Sequence, residues 1–572
     1  MSRSFRRVLT SAIGFVTAIA AGPALASVEA GNQQSGLSGI NHIVVIYEEN
    51  HSFDNLYGGW EGVNGLAGAN AAQTTQVLQS EQATPPAYTC LKQNDVNLTS
   101  PPLSVLCSDS TTGTTFISHF SNQPFQIDAY IHPNDTTCPQ PGKEFDPAHS
   151  NGWAKTTGTS GGCTRDIVHR FYQEQYQLNS GHQNRYVTGS DAIGLTMGYY
   201  DTTALPVYAY LHSDGHPHYA IADDFFQGAF GGSFLNHQWL IAAASPTWEG
   251  APDGLHAVLD GNGMTNNYPL YTKTISTAHD GALTQKCAGA FPGRACGNFA
   301  VNTIQPTSQP FMHGTPQPAQ LPLQGGTTIG DKLTEVGVSW AWYSGGWSNA
   351  AGIVGGPGWT NTDLSKPGTC ADPNSTPNPA YPYCPSKVFQ YHHQPLNYYA
   401  NYAENGPGRG HLQDEQAFIG LANASGKECK LNSVSFVKPV GLENEHPGYT
   451  SETRGSSHLV DLLSAINNSA CRKDTMVVVT YDEFGGSWDH VAPPGQGNNN
   501  GPHDEWGPGT RIPTLVIAPR LRGDFVVDHT QYDTTSILAT IEHRYGLSAL
   551  GTRDAAVNDL SSVFNAHSPF DT

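Results

Sequence analysis

"HIVVIYEEN", residues 42–50, decides how the rest of the chain is read. Its apolar part is β-branched and does not alternate, the pattern of a strand in a parallel sheet covered on both faces. It ends on Glu48, Glu49 and Asn50, with His51 next. Such groups are costly to desolvate unless something binds them. The pattern returns in "TMVVVTYDE" (475–483), which ends on Asp482 and Glu483, and a third buried run is "TLVIAP" (514–519). Helical spacing is predicted over 165–178, 457–468 and 533–547, the last with Asp533 or Thr534 as N-cap and Gly546 as its stop. These elements predict an α/β fold, a mostly parallel central sheet sandwiched by helices.

In such sheets ligands bind beyond the carboxyl ends of the strands. The two tips can therefore bring Glu49, Asn50, Asp482 and Glu483 together. Three carboxylates at close range raise one another's pKa unless a cation neutralises them. An oxygen-rich set of this kind suits a hard or borderline divalent metal ion.

The chain opens "MSRSFRRVLTSAIGFVTAIAAGPALAS", a basic head, a short apolar stretch and the small residues Ala24 and Ala26. This predicts a signal peptide over residues 1–26, followed by a flexible 27–38 and a single catalytic domain over 39–572. The Arg6-Arg7 pair leaves both general and twin-arginine export open, so the expected location is secreted or periplasmic. The formal charge is −21 over the whole chain, and it becomes more negative once a leader rich in arginine is removed. That balance argues against nucleic acid, and against stable membrane association through anionic lipid. It also means that a phosphorylated ligand needs a local positive centre.

Ten cysteines in an exported chain predict disulfides, in the sequential order Cys90–Cys107, Cys138–Cys163, Cys287–Cys296, Cys370–Cys384 and Cys429–Cys471. Most fall in long Pro/Gly/Ser-rich stretches at 60–160, 245–335 and 354–386, which read as stapled insertions over one sheet. Oligomeric state has no sequence signal.

Further candidates are Thr196, framed by Gly194 and Gly198 in "GLTMGYYD", and several of the 24 histidines: His169, the pair His392–His393, and His446. A threonine hydroxyl beside a metal becomes a nucleophile, and imidazoles bind phosphoryl oxygens or protonate a departing alkoxide. His51, His237 and His490 are supporting candidates. If the pocket histidines titrate near pH ~6, binding of phosphate esters is favoured below neutrality.

"NHIVVIYEENHSFDNLYG", "GLTMGYYD", "DDFFQGAFGGSFLNHQWLI", "FQYHHQPLNYY", "ENEHPGYTS" and "YDEFGGSWDHVAPP" together resemble the bacterial phosphoesterase family, from about residue 39 to about residue 547. That family holds phosphatidylcholine-preferring phospholipases C and secreted acid phosphatases, and belongs to the alkaline-phosphatase superfamily. The resemblance implies an alkaline-phosphatase-like fold. It also implies metal ligands Glu49, Asn50, Asp482, Glu483 and Thr196, with Thr196 as nucleophile and His169, His392, His393 and His446 around the phosphate. The acid-phosphatase branch usually carries Ser where this chain has Thr196, whereas the phospholipase branch carries Thr. "FFQGAFGGSFLNHQWLI" and "HHQPLNYY" look like the acid-phosphatase side, so the implied activity is phosphomonoester hydrolysis on small phosphorylated substrates. Phospholipase C activity is one alternative. A catalytically silent secreted binding protein is the other.

Overall fold

The computed structural model describes residues 36–92, 107–109, 116–118, 120–129, 166–312, 315–316, 319–359 and 389–570. The expected leader at 1–26 and the pairs Cys138–Cys163 and Cys370–Cys384 lie outside the described residues.

Eight strands form the central sheet: β1 (His42–Glu48), β2 (Tyr219–Ala222), β3 (Trp340–Ser344), β4 (Leu412–Asp414), β5 (Val434–Lys438), β6 (Thr475–Tyr481), β7 (Thr514–Ile517) and β8 (Phe525–Asp528). Their spatial order is β4-β3-β5-β1-β6-β7-β2-β8. The two acid-tipped strands are direct neighbours: β1 runs parallel to β6 with His42 opposite Thr475 and Glu48 opposite Tyr481. Every residue of β6, and all of β1 beyond His42, is buried. That burial accounts for the unbroken apolar runs, because both faces of the sheet are covered. The sheet is mostly parallel, as expected. The run at 514–517 departs from the pattern, since β7 pairs antiparallel with both β6 and β2.

The longer helices are α1 (Phe171–Leu178), α2 (Ser233–Ala242), α3 (Glu415–Asn423), α4 (Glu452–Asn467) and α5 (Thr535–Tyr545). The helix expected over 165–178 begins only at Phe171, with Arg170 as its N-cap. His169 therefore lies just before the helix rather than within it. At α5 the Asp533 carboxylate accepts from the Thr535 backbone N–H at 2.6 Å, and Gly546 ends the helix at φ 68°. Cys287–Cys296 and Cys429–Cys471 form the expected disulfides. Cys90 is disulfide-bonded as well. Among the described residues no helix is long and apolar enough to cross a membrane.

Candidate active site

The strand ends set up the site. Asn50 follows β1 in the left-handed region (φ 63°), and its backbone N–H donates to Asp482 Oδ1 at 3.1 Å across 432 positions of sequence. Asp482 Oδ1 also accepts from the Glu483 N–H at 2.8 Å. The approach needs Gly485 (φ 62°): a Cβ there would lie 2.2 Å from the Asn50 carbonyl oxygen. Sequence spacing alone could not show this meeting; the parallel register of β1 and β6 produces it.

Ser233, at the start of α2, holds the acids together. Its hydroxyl lies 3.3 Å from Glu49 Oε2 and 3.4 Å from Glu483 Oε1. Glu49, Asn50, Asp482 and Glu483 are all fully buried or nearly so. Burial raises the Glu49 and Glu483 pKa values well above the usual carboxylate range, and the charge of Asp482 raises both further. One cation relieves this in part: the Lys438 ammonium, at the end of β5, donates to Glu49 Oε1 and to the Tyr47 carbonyl at 2.7 Å. Asn50 Oδ1, Asn50 Nδ2 and Asp482 Oδ2 are buried with no hydrogen-bond partner among the described residues. Buried polar atoms are almost always satisfied. Orphaned hard oxygens beside three carboxylates fit a divalent cation.

Histidines line the same space. His393 Nδ1 is 3.3 Å from Glu49 Oε1, and its ring stacks on His237 at 4.8 Å and 3°. One ligand atom each from Glu49, His237 and His393 falls within a 4.8 Å group. His169 Nε2 is 3.5 Å from Glu483 Oε1, and its ring is 6.5 Å from that of His446. Gly232 makes room for it, since a Cβ there would sit 2.9 Å from His169 Cδ2. His392 neighbours His393 at 4.4 Å. Burial, then the charges of His169 and Lys438, push the His392 pKa down to about 3. His393 and His446 are pushed down in the same way, burial first. Burial thus disfavours the cationic form of these three imidazoles.

Thr196 lies on the buried 3-10 turn Ile193–Met197. Its hydroxyl donates to the Ile193 carbonyl at 3.1 Å, and its own carbonyl accepts from the Trp488 N–H at 2.9 Å. Ile193 is left-handed at φ 56°, a strained state for a β-branched residue and one found mostly at functional turns. Asn55 Nδ2 donates to the Gly198 carbonyl at 2.8 Å, so the threonine turn is tied to the loops after both β1 and β6. The flanking Gly198 serves packing: a Cβ there would meet Leu195 O at 3.1 Å and Ile127 Cδ1 at 3.2 Å.

Of the supporting histidines, only His237 joins this space. His51 braces its loop between Asn55 Oδ1 (2.5 Å) and the Glu445 carbonyl (3.1 Å), and His490 is held by Asp54 Oδ2 (2.6 Å) and Asn64 Oδ1 (3.1 Å). Beside His490, Asp54 and Asp489 surround the fully buried Arg511, whose Nε donates to Asp489 Oδ1 at 3.1 Å and whose Nη2 donates to Asp54 Oδ1 at 3.1 Å. Lys438 and Ser233 escaped the sequence reading. The signal available was a lysine ending an apolar run, "VSFVK" (434–438), and a serine after paired glycines, "GGSF" (231–234).

A model of the Phosphoesterase family matches residues 40–548. Phospholipase C B of Mycobacterium tuberculosis is 36% identical over 164 residues, which is 24% of this chain and 30% of that protein. The non-hemolytic phospholipase C of Burkholderia pseudomallei is 32% identical over 170 residues, 25% of this chain and 24% of that one. Non-specific phospholipase C6 of Arabidopsis thaliana is 30% identical over 152 residues, 22% of this chain and 29% of that one. These alignments span less than a third of each relative's own length. The match from residue 40 to residue 548 takes in β1 and its Glu49-Asn50 tip, the threonine turn, and β6 with Asp482 and Glu483, so the chain belongs to the phosphoesterase family.

Proposed function

We propose that the protein is an exported, metal-dependent phosphoric ester hydrolase that works through a phosphothreonine intermediate. The observation that carries this reading is the convergence of Glu49, Asn50, Asp482 and Glu483 beyond the ends of β1 and β6, with orphaned oxygens, beside five imidazoles. Those four residues and Thr196 would hold a divalent ion, which would supply positive charge for the phosphoryl group and acidify a nearby hydroxyl. Thr196 Oγ1 attacks phosphorus, and the ester P–O bond breaks in line. A histidine among His169, His392, His393 and His446 takes the Thr196 hydroxyl proton and hands it to the departing oxygen, while the others donate to phosphoryl oxygens. Water then cleaves the phosphothreonine and restores the hydroxyl. Such transfer depends mainly on positioning and charge stabilisation. Phosphothreonine formation also suits the restricted χ1 of a β-branched nucleophile.

Two substrate classes compete. The relatives named as phospholipases C, and the threonine at position 196, favour phosphodiesters of the phospholipase C type. The acid-phosphatase-like motifs around 225–241 and 392–399 favour monoesters, a preference that the named relatives do not support. Of the two, the diester reading has the broader support. Metal analysis of the purified protein, beside assays on p-nitrophenyl phosphate, bis-p-nitrophenyl phosphate and phosphatidylcholine vesicles, tests it. Stoichiometric divalent metal, activity lost to chelator and restored by metal, and a diester preference are expected. Full activity in metal-free protein, or no turnover of any of the three, refutes the reading.

A further inference from the structure

A basic patch without acids lies at the opposite end of β6 from the candidate site. There a cavity of about 440 Å³ opens beneath α4. Its floor is apolar: Leu463 and Ile466 from α4, and Val477 from β6, all buried. The rim holds Arg472, Lys473 and Arg520, and no Asp or Glu lines it. In a chain with 27 Lys and Arg against 48 Asp and Glu, fifteen lining residues would on average hold fewer than one such cation and more than one acid.

Arg472 and Lys473 are presented by a rigid element. They end the 3-10 turn Ala470–Lys473, whose N-terminus is capped by Ser469 Oγ accepting from the Cys471 N–H at 3.1 Å. Cys471 is buried and tied to Cys429 by a disulfide. Both cations are exposed, and neither has an acidic partner among the described residues. The nearby acids are engaged elsewhere: Asp474 accepts from Asn41 Nδ2 at 2.6 Å, and Asp524 pairs with His218 at 3.0 Å.

We infer that this cavity binds a small amphiphile with one anionic head, its apolar tail on the Leu463–Ile466–Val477 floor and its head between Arg472 and Lys473. Charge complementarity selects the head. The volume, toward the lower end of the ~300–1,000 Å³ usual for ligand pockets, selects a single short tail over a whole phospholipid. Seven strand rises, ~23 Å, separate Thr475 from the acid tip. The inference therefore stands apart from the phosphoester chemistry at the other end.

Calorimetric titration of the full chain with decanoate and with decyl phosphate, each below its micellar concentration, tests it. Decyltrimethylammonium and decyl maltoside serve as controls. One equivalent of each anion is expected to bind, at least tenfold more tightly than either control and more weakly in high salt. The double variant Arg472→Glu/Lys473→Glu, both at exposed positions, should lose at least tenfold in affinity with an unchanged melting temperature. Asn467→Trp on the half-buried rim should block the tail whatever the head. Carboxylate and phosphate heads are both acceptable, and decanoate, which has no phosphorus, separates this cavity from the candidate active site. Three outcomes overturn the inference: no binding of either anion, equal binding of the cationic or neutral tail, or affinity unchanged in the double variant. Decyl phosphate binding that inorganic phosphate displaces and the double variant keeps also counts against it.

Discussion

At the ends of β1 and β6 the chain buries two sets of acids a few residues apart. Asp54 and Asp489 enclose Arg511, whose remaining Nη1 donates to the carbonyls of Asn64 (2.7 Å) and Asp223 (2.8 Å). That set is closed: both carboxylates bind one buried guanidinium supplied by the protein. Among the described residues, Glu49, Asp482 and Glu483 face one lysine, Lys438, which is bound to Glu49, and Asp482 Oδ2 and both Asn50 side-chain atoms have no hydrogen-bond partner. One set has the form of a finished internal ion pair, and the other that of a site awaiting a positive ligand. Acid content alone does not distinguish them. What does is whether the protein supplies the cation itself.

Thr196→Ala should break the contrast most sharply. If the open set is catalytic, turnover falls by roughly 10⁴-fold or more while circular dichroism and melting temperature stay unchanged. Retained turnover would leave the open set as an odd packing defect. Arg511→Met attacks the closed set and strands two buried carboxylates, for a loss of about 3–5 kcal/mol in denaturant unfolding. A loss below about 1 kcal/mol would mean that the pair is solvated after all.

A matched pair of substitutions separates the two sets by sign. In metal-free protein, Asp482→Asn removes one of three mutually repelling charges, while its Oδ1 still accepts the Asn50 and Glu483 N–H groups. It should stabilise the fold by about 2 kcal/mol and abolish metal binding. Asp489→Asn weakens the grip on Arg511 and should destabilise by a similar amount. Equal signs in thermal melts would erase the distinction.

The smallest effect belongs to a third set, in which the counter-charge itself titrates. His458 on α4 lies 2.9 Å from Glu415 and 3.9 Å from Glu443. Burial lowers its pKa, but the hydrogen bond and charge of Glu415 and the charge of Glu443 outweigh burial and lift it to about 8. A histidine raised in the folded state contributes stability that is complete below its unfolded pKa of ~6.5 and is lost as pH rises to about 8. Wild type should thus lose about 1–2 kcal/mol relative to His458→Gln across that window. Parallel stability curves for the two proteins would refute this.

The two acid tips were legible because strand burial and charge sit side by side in "HIVVIYEEN" and "TMVVVTYDE". The partner strands were not. "WAWYS" (340–344) has no β-branched residue, and "VSFVK" breaks its apolar run with Ser435 and Lys438, so both owe their strand state to neighbours already in the sheet. The reversal of β7 is invisible in "TLVI", since direction is set by the long 482–513 connection from β6 and leaves no mark on composition. Arg511 gave no signal because its partners lie at positions 54, 64, 223 and 489. Long-range pairing of this kind exists only after the sheet has formed. Gly198 is a related case: a glycine admits close approach, but only the tertiary neighbour, here Ile127, says what approaches.

The pairing of β1 with β6 has a consequence for biosynthesis. The first half of the ligand set emerges from the ribosome among the first fifty residues, and the second arrives only when about four-fifths of the chain has been made. Until then the innermost seam of the sheet is missing a strand, and no partial product can hold the complete ion cage. No centre of the proposed ester-cleaving kind can therefore assemble on an incomplete chain.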